Sequence, residues 1–155
     1  MSYKVFIDGA EGTTGLQIFD RFADRDDIEL IEIEPELRKN TVRRAELMNS
    51  SDVVFLCLPD AAAIEAAALV TSDFTRIIDA STAHRTARDW VYGFPELNKE
   101  RREAIAAARR VANPGCHASG FIACTYPLVQ GCLISPDAEL CCYTLTGYSG
   151  GGKKI

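Results

Sequence analysis

The chain has 155 residues, 47% of them hydrophobic and 25% charged, and a formal net charge of −5. That supplies one sizeable core, and the acidic balance excludes phosphate-backbone binding as the main activity, because such binding runs on clustered Lys and Arg. The apolar start, Tyr3 to Ile7, is interrupted by Lys4 and closed by Asp8, far short of a signal h-region or a membrane span, so no membrane or nucleic-acid partner is expected and a cytoplasmic location is the default.

In chain order, YKVFI (3–7), IELIEI (28–33), VVFLCL (53–58) and TRIID (75–79) are short runs rich in β-branched or aromatic residues, which predicts strands. Thr14 to Ala23, Thr41 to Met48, Ala61 to Val70 and Lys99 to Arg110 read as helices between and after them. Strand alternating with helix predicts an α/β, doubly wound parallel sheet of the Rossmann-like kind. A short strand, Arg110 to Asn113, is stopped by Pro114 and Gly115, and a helix follows over 117–130, bent near Pro127. Ala138 to Tyr148 alternates as a strand should, with Leu140, Cys142, Thr144 and Thr146 on one side and Cys141, Tyr143, Leu145 and Gly147 on the other. The glycine-rich "GYSGGGKKI" behind it reads as a chain stopped inside its next unit. The expected division is a dinucleotide-binding domain over residues 1–115 and, over 116–155, a helix and first strand that begin a second α+β domain. Six cysteines without a CxxC pair or a histidine at ligand spacing predict reduced thiols and no metal site.

The stretch "FIDGAEGTTG" places Gly9, Gly12 and Gly15 where the first strand meets the first helix. Gly9 allows the tight turn, Gly12 lets backbone approach a pyrophosphate, Gly15 allows close helix–strand packing, and Thr13 and Thr14 add hydroxyl donors beside the helix amino terminus. About twenty residues on, Glu32 and Glu34 suit the ribose 2′-hydroxyl of NAD, whereas Arg38 and Lys39, turned by Pro35, suit the extra phosphate of NADP. Both signals are present, and the basic pair also fits a solvated turn; NADP, held by Arg38, is the expected cofactor.

"NPGCHASGF" (113–121) sets Cys116 behind a Pro-Gly stop and at a helix amino terminus, where unpaired N–H groups and the helix dipole favour a thiolate. The plain alternative is a sulfur buried as a small hydrophobe, the expected fate of Cys124. An attacking cysteine beside a nicotinamide pocket points to chemistry at the aldehyde or acyl-phosphate level through a thioester. In "IDASTAHRT" (78–86), Ser81 and Arg85 follow the fourth strand at the edge where such sheets bind ligands, and Arg85 can grip a carboxylate or phosphate with two parallel bonds.

Taken together, GAEGTTG (9–15), VVFLCLPDAAA (53–63), IIDASTAHRT (77–86), YGFPELN (92–98), NPGCHAS (113–119) and GYSGGGKK (147–154) resemble the N-acetyl-gamma-glutamyl-phosphate reductase family in its shorter variety. The resemblance implies NADPH-dependent reduction of N-acetyl-gamma-glutamyl phosphate to N-acetylglutamate semialdehyde in arginine biosynthesis. It makes Cys116 the acyl-enzyme nucleophile and the 9–15 loop the NADP pyrophosphate site. Ser149, Gly150 and Gly151 become a loop reaching nicotinamide and substrate, and Lys153 stands where a basic residue is common; the expected substrate contacts are Ser81 and Arg85, from their place after the fourth strand, and Asn113. Members are about twice as long, and the further half carries a sheet-rich domain with the acid–base histidine and the subunit interface, so a homo-oligomer is implied for the whole protein and no turnover for this chain alone. Of the two histidines here, His84 and His117, the second is adjacent to Cys116, but neighbours on a helix point about 100° apart. Other readings are a nucleotide-binding or redox-sensing module without turnover and, among enzymes, aspartate-semialdehyde dehydrogenase.

Overall fold

A computed structural model describes residues 2–10 and 12–147, in two compact units, Met1–Pro114 and Gly115–Ile155. The first contains β1 (Tyr3–Asp8), α1 (Thr13–Phe22), β2 (Ile28–Ile31), α2 (Thr41–Asn49), β3 (Val53–Leu56), α3 (Asp60–Leu69), β4 (Arg76–Asp79), β5 (Val91–Tyr92), α4 (Lys99–Ala107) and β6 (Arg110–Ala112). All neighbouring strands run parallel, in the order β2-β1-β3-β4-β6-β5. From β1 the chain steps outward to β2 and then returns past β1 to β3, so the order reverses between β1 and β3. Such reversals open a crevice at the carboxyl ends of the strands, where ligands bind.

Register decides which side chains share a face. Phe6 lies opposite Val54, and Val54 opposite Ile77; one step on, Asp8, Leu56, Asp79 and Ala112 form the next row of the same face. That face packs against Leu47 and Met48 of α2 and Ala66 and Ala67 of α3. Phe55 points to the opposite face, where its ring centroid lies 5.6 Å from that of Phe22 in α1. Helices therefore cover both faces, which is why the central strands are apolar nearly throughout. Phe6, Met48, Val54, Leu56 and Ile77 are all buried, and burying each such side chain contributes roughly 1.5–3 kcal/mol.

Local chemistry sets the helix ends. Asn40 and Asn98 cap α2 and α4, their side chains accepting from the N–H of Arg43 (3.0 Å) and Arg101 (2.7 Å), contacts worth about 1 kcal/mol each. In α3, Ala63, Ala66 and Ala67 are buried; alanine combines high helix propensity with a small side chain, so the helix lies close on the sheet. Asn49 fastens α2 to the segment after α3, donating to Leu69 O (2.8 Å) and accepting from the N–H groups of Thr71 and Ser72 (2.7 Å each).

The second unit contains α5 (Cys116–Gln130), which runs through Pro127. Residues 138–147 form no strand, contrary to their alternating pattern. Alternation makes a strand only where a neighbour's N–H and C=O groups complete the ladder, and the described residues of this unit include no other strand. Tyr148, the last residue of the expected strand, lies outside the described residues. The two-residue β5 is too short for sequence periodicity to reveal. Among the described residues no helix is long and apolar enough to cross a membrane.

Candidate functional site

The turn after β1 is built by glycines pressed against backbone. Gly9 holds a φ of +87°, and a Cβ there would stand 2.4 Å from Cys57 O; a Cβ on Gly15 would stand 2.4 Å from Gly9 O. Only glycine combines that φ with that approach. Gly12 caps α1 with a φ of −73°, and its N–H donates to Gly9 O (3.0 Å) while its carbonyl accepts the first helical bond, from Leu16 N (2.9 Å). Helix geometry leaves the N–H groups of Thr13, Thr14 and Gly15 without an intrahelical acceptor, and the first turn carries no acidic side chain. The loop thus presents uncapped donors at the positive end of a helix dipole, beside the β1/β3 reversal, which fits a pyrophosphate.

Next to the loop lies a cavity of about 380 Å³, walled by Phe6, Leu16, Phe19, Leu30, Ile31, Ile33 and Leu58 and bordered by Asp8, Gly9, Ala10, Glu32 and Arg38. Of the two acidic candidates after β2, Glu34 is engaged by Arg43, whose Nη2 donates to its Oε1 at 3.0 Å; the guanidinium holds that carboxyl below its ordinary range. Glu32 and Arg38 both border the cavity, so the competing NAD and NADP signals meet at one place.

Two residues that sequence reasoning passed over form the inner wall of the carboxyl edge. Asp8 accepts from Arg44 Nη2 at 2.6 Å, both side chains largely buried. Asp79 is completely buried and accepts from Ser81 N (2.9 Å), Ser81 Oγ (2.6 Å) and His84 Nδ1 (2.6 Å), while the His84 ring stacks on Trp90 at 4.0 Å. The signal was available: both close apolar runs, in "FIDG" and "IIDAS", and a carboxylate at a strand's carboxyl end is buried only with partners. Burial, followed by the charges of Asp79 and Asp8, pushes the Cys57 thiol up to about 11. Cys57 is therefore a neutral thiol at neutral pH.

Ser81, expected at the substrate, faces inward, its hydroxyl committed to Asp79 and also accepting from Ala83 N (3.2 Å). Arg85 Nε donates to Asn113 O (3.0 Å) and its Nη2 to Ala80 O (3.4 Å), and Asn113 N donates to Asp79 O (2.7 Å). The three expected substrate residues thus converge where β4 and β6 end, with Arg85 bridging the two loops. Thr82 is held separately, its N–H and hydroxyl donating to the two oxygens of Asp60 at 2.9 and 2.5 Å.

In the second unit Cys116 is exposed and is the first residue of α5, after Gly115 as cap. Ser119 N closes the first turn onto Gly115 O at 2.8 Å, and Ser119 Oγ donates to the same carbonyl at 2.9 Å. Cys124, expected in a core, is exposed instead, on the groove between α5 and residues 140–145 and not under a packed layer. Ser149, Gly150, Gly151 and Lys153 lie outside the described residues. Among the described residues no three His, Cys, Asp or Glu side chains gather as a metal site.

The pattern of the semialdehyde dehydrogenase NAD binding domain matches residues 31–107. This chain carries that domain. Over 152 residues the chain is 53% identical to N-acetyl-gamma-glutamyl-phosphate reductase 2 of Nostoc sp., covering 98% of this chain and 47% of that protein. N-acetyl-gamma-glutamyl-phosphate reductase of Mesorhizobium japonicum is 53% identical over 155 residues, covering 100% of this chain and 50% of that one. The chain spans about half the length of the curated relatives it matches. Among solved structures, aspartate semialdehyde dehydrogenase from Francisella tularensis superimposes with a TM-score of 0.62 at 18% identity, covering 83% of this chain and 41% of the other; at that identity the likeness shows the fold of the NAD-binding domain alone.

Proposed function

We propose that the protein reduces N-acetyl-gamma-glutamyl phosphate to N-acetylglutamate semialdehyde and phosphate with NADPH, through a thioester on Cys116, as a cytoplasmic homo-oligomer in arginine biosynthesis. The observation that carries this is Cys116 exposed at the first position of α5, in a chain 53% identical along almost its entire length to reductases of that name.

The glycine turn at 9–15 binds the pyrophosphate through the N–H groups of Thr13, Thr14 and Gly15, and Arg38 takes the 2′-phosphate at the cavity's border. Arg85 and Asn113 supply polar contacts to the substrate's anionic groups, while Ser81 and His84, anchored on Asp79, hold the turn that carries Arg85. The Cys116 thiolate attacks the acyl carbon, the bond to the phosphate oxygen breaks, and phosphate leaves. NADPH, when bound, supplies the hydride that the thioester carbon accepts; the Cys116 sulfur then departs and regains its proton.

Incubating the purified protein with N-acetyl-gamma-glutamyl phosphate in the absence of NADPH separates acylation from reduction. Release of about one equivalent of phosphate, with the acyl mass on the Cys116 peptide and neither signal in Cys116→Ala, is the expected result. An adduct on another residue, or phosphate release untouched by Cys116→Ala, would overturn the reading.

A further inference from the structure

Within the second unit, a groove of about 590 Å³ separates α5 from residues 140–145, and four cysteines line it: Cys116 and Cys124 from the helix, Cys141 and Cys142 from the facing segment. All four are exposed, free thiols. Thiols that share one groove can react with each other, beside the acylation proposed for Cys116.

Geometry sorts the possible pairs. Cys116 and Cys124 are eight positions apart on one helix, a rise of about 12 Å at ~1.5 Å per residue, beyond the ~7 Å limit for a disulfide's Cα atoms. Cys141 and Cys142 are adjacent, with Cα atoms about 3.8 Å apart, inside the usual lower bound of ~4.4 Å. The pairs that remain run across the groove. On the helix side, Cys116 is the first residue of α5, beside the N–H groups that helix geometry leaves unpaired, and Cys124 stands in the middle of the helix without them.

We propose that Cys116 and Cys141 or Cys142 form a reversible disulfide when the protein meets hydrogen peroxide. The Cys116 thiolate attacks one peroxide oxygen; the O–O bond breaks, hydroxide leaves, and the sulfur is oxidised to a sulfenic acid. A thiolate from the facing pair attacks that sulfur, the S–S bond forms, the S–O bond breaks, and the oxygen departs as water. In total two thiols and one peroxide give one disulfide and two waters. The bond protects Cys116 from irreversible oxidation to the sulfinic acid, and a dithiol restores both thiols. Resting on the function proposed above, it also suspends acylation until the dithiol acts.

The experiment exposes the 155-residue chain briefly to hydrogen peroxide, blocks remaining thiols with N-ethylmaleimide and maps peptides without reduction. The expected result is the Cys116 peptide joined to the peptide holding Cys141 and Cys142 at the sum of their masses less two hydrogen atoms, a pair that separates on adding dithiothreitol. In Cys141→Ser/Cys142→Ser, Cys116 should instead gain two oxygens as sulfinic acid, whereas Cys124→Ser/Cys132→Ser should cross-link as the parent does. A parent chain with sulfinic Cys116 and no link, a link through Cys124, or a link found only between two chains would overturn the proposal. Because the readout is mass, the disulfide stands or falls separately from the reductase reading, which the phosphate-release experiment decides.

Discussion

Replacing Gly9 by alanine tests the construction of the dinucleotide turn more sharply than any change of charge. The backbone at φ +87° lies where an L side chain costs roughly 1–2 kcal/mol. The added Cβ would meet Cys57 O at 2.4 Å and Cys57 C at 3.0 Å. Those atoms belong to the backbone between β3 and α3, tied to β1 by the bond from Cys57 N to Asp8 O at 2.8 Å, so relief requires a shift of the sheet's central junction, about 1–3 kcal/mol on the scale of overpacked cores. The sum is about 2–5 kcal/mol. Gly12 is the internal comparison: its φ of −73° suits any residue, and its Cβ would meet Gly9 O at a tolerable 3.3 Å, which puts Gly12→Ala at no more than about 1 kcal/mol. Urea unfolding read through Trp90, the single tryptophan, buried and stacked on His84, reports on the same unit. With a slope near 2 kcal/mol per molar, Gly9→Ala should lower the midpoint by roughly 1–2.5 M and Gly12→Ala by less than about 0.5 M. Equal midpoints for the two variants would show that the close approach at Gly9 does not constrain the fold and would refute the reasoning.

Three further outcomes are expected. Asp79→Ala leaves the buried Ser81 hydroxyl and His84 ring nitrogen without their acceptor and should cost about 2–4 kcal/mol in thermal or urea unfolding, with Asp79→Asn milder because an acceptor oxygen survives; an unchanged melting temperature in Asp79→Ala would contradict the role given to this carboxylate. The Cys57 thiol, pushed up to about 11 from 9.0, ionises in the unfolded chain first, so its contribution to stability is complete below about pH 9 and is lost as pH rises through 9–11. Comparing urea midpoints of the parent and Cys57→Ala at about pH 8 and about pH 10.5 isolates this contribution, and identical pH dependence in both would refute it. Arg38→Ala should weaken NADPH binding about ten- to a hundredfold, the loss expected for a hydrogen bond to a charged group, and leave NADH nearly unchanged; fluorescence titration with both cofactors checks it, and equal losses would move the 2′-phosphate away from Arg38.

The parts of this protein that could be read directly from its residues are those whose information is local. Four apolar runs and the helices between them announce β1 to β4 and the parallel sheet, because each strand's composition reflects burial on both faces. Gly9, Gly12 and Gly15 announce the turn, because backbone angles and close approaches select glycine one position at a time. Pro114 and Gly115 likewise locate the start of α5 at Cys116. What only the folded chain decided is pairing. The alternation of 138–147 is a sound strand pattern, yet a ladder needs a second strand, and none of the described residues in its unit provides one. Asp8 and Asp79 are 71 positions apart by number and become members of one row only through the registers of β1 with β3 and of β3 with β4. Ser81 turned inward because Asp79, buried by that register, required donors. The thiols of α5 and residues 141–142 face one groove because two segments fold beside each other. Periodicity and composition are properties of a segment, whereas register, burial of a charge and the meeting of two cysteines depend on contacts made across the chain, whose choice rests on the packing of the whole unit.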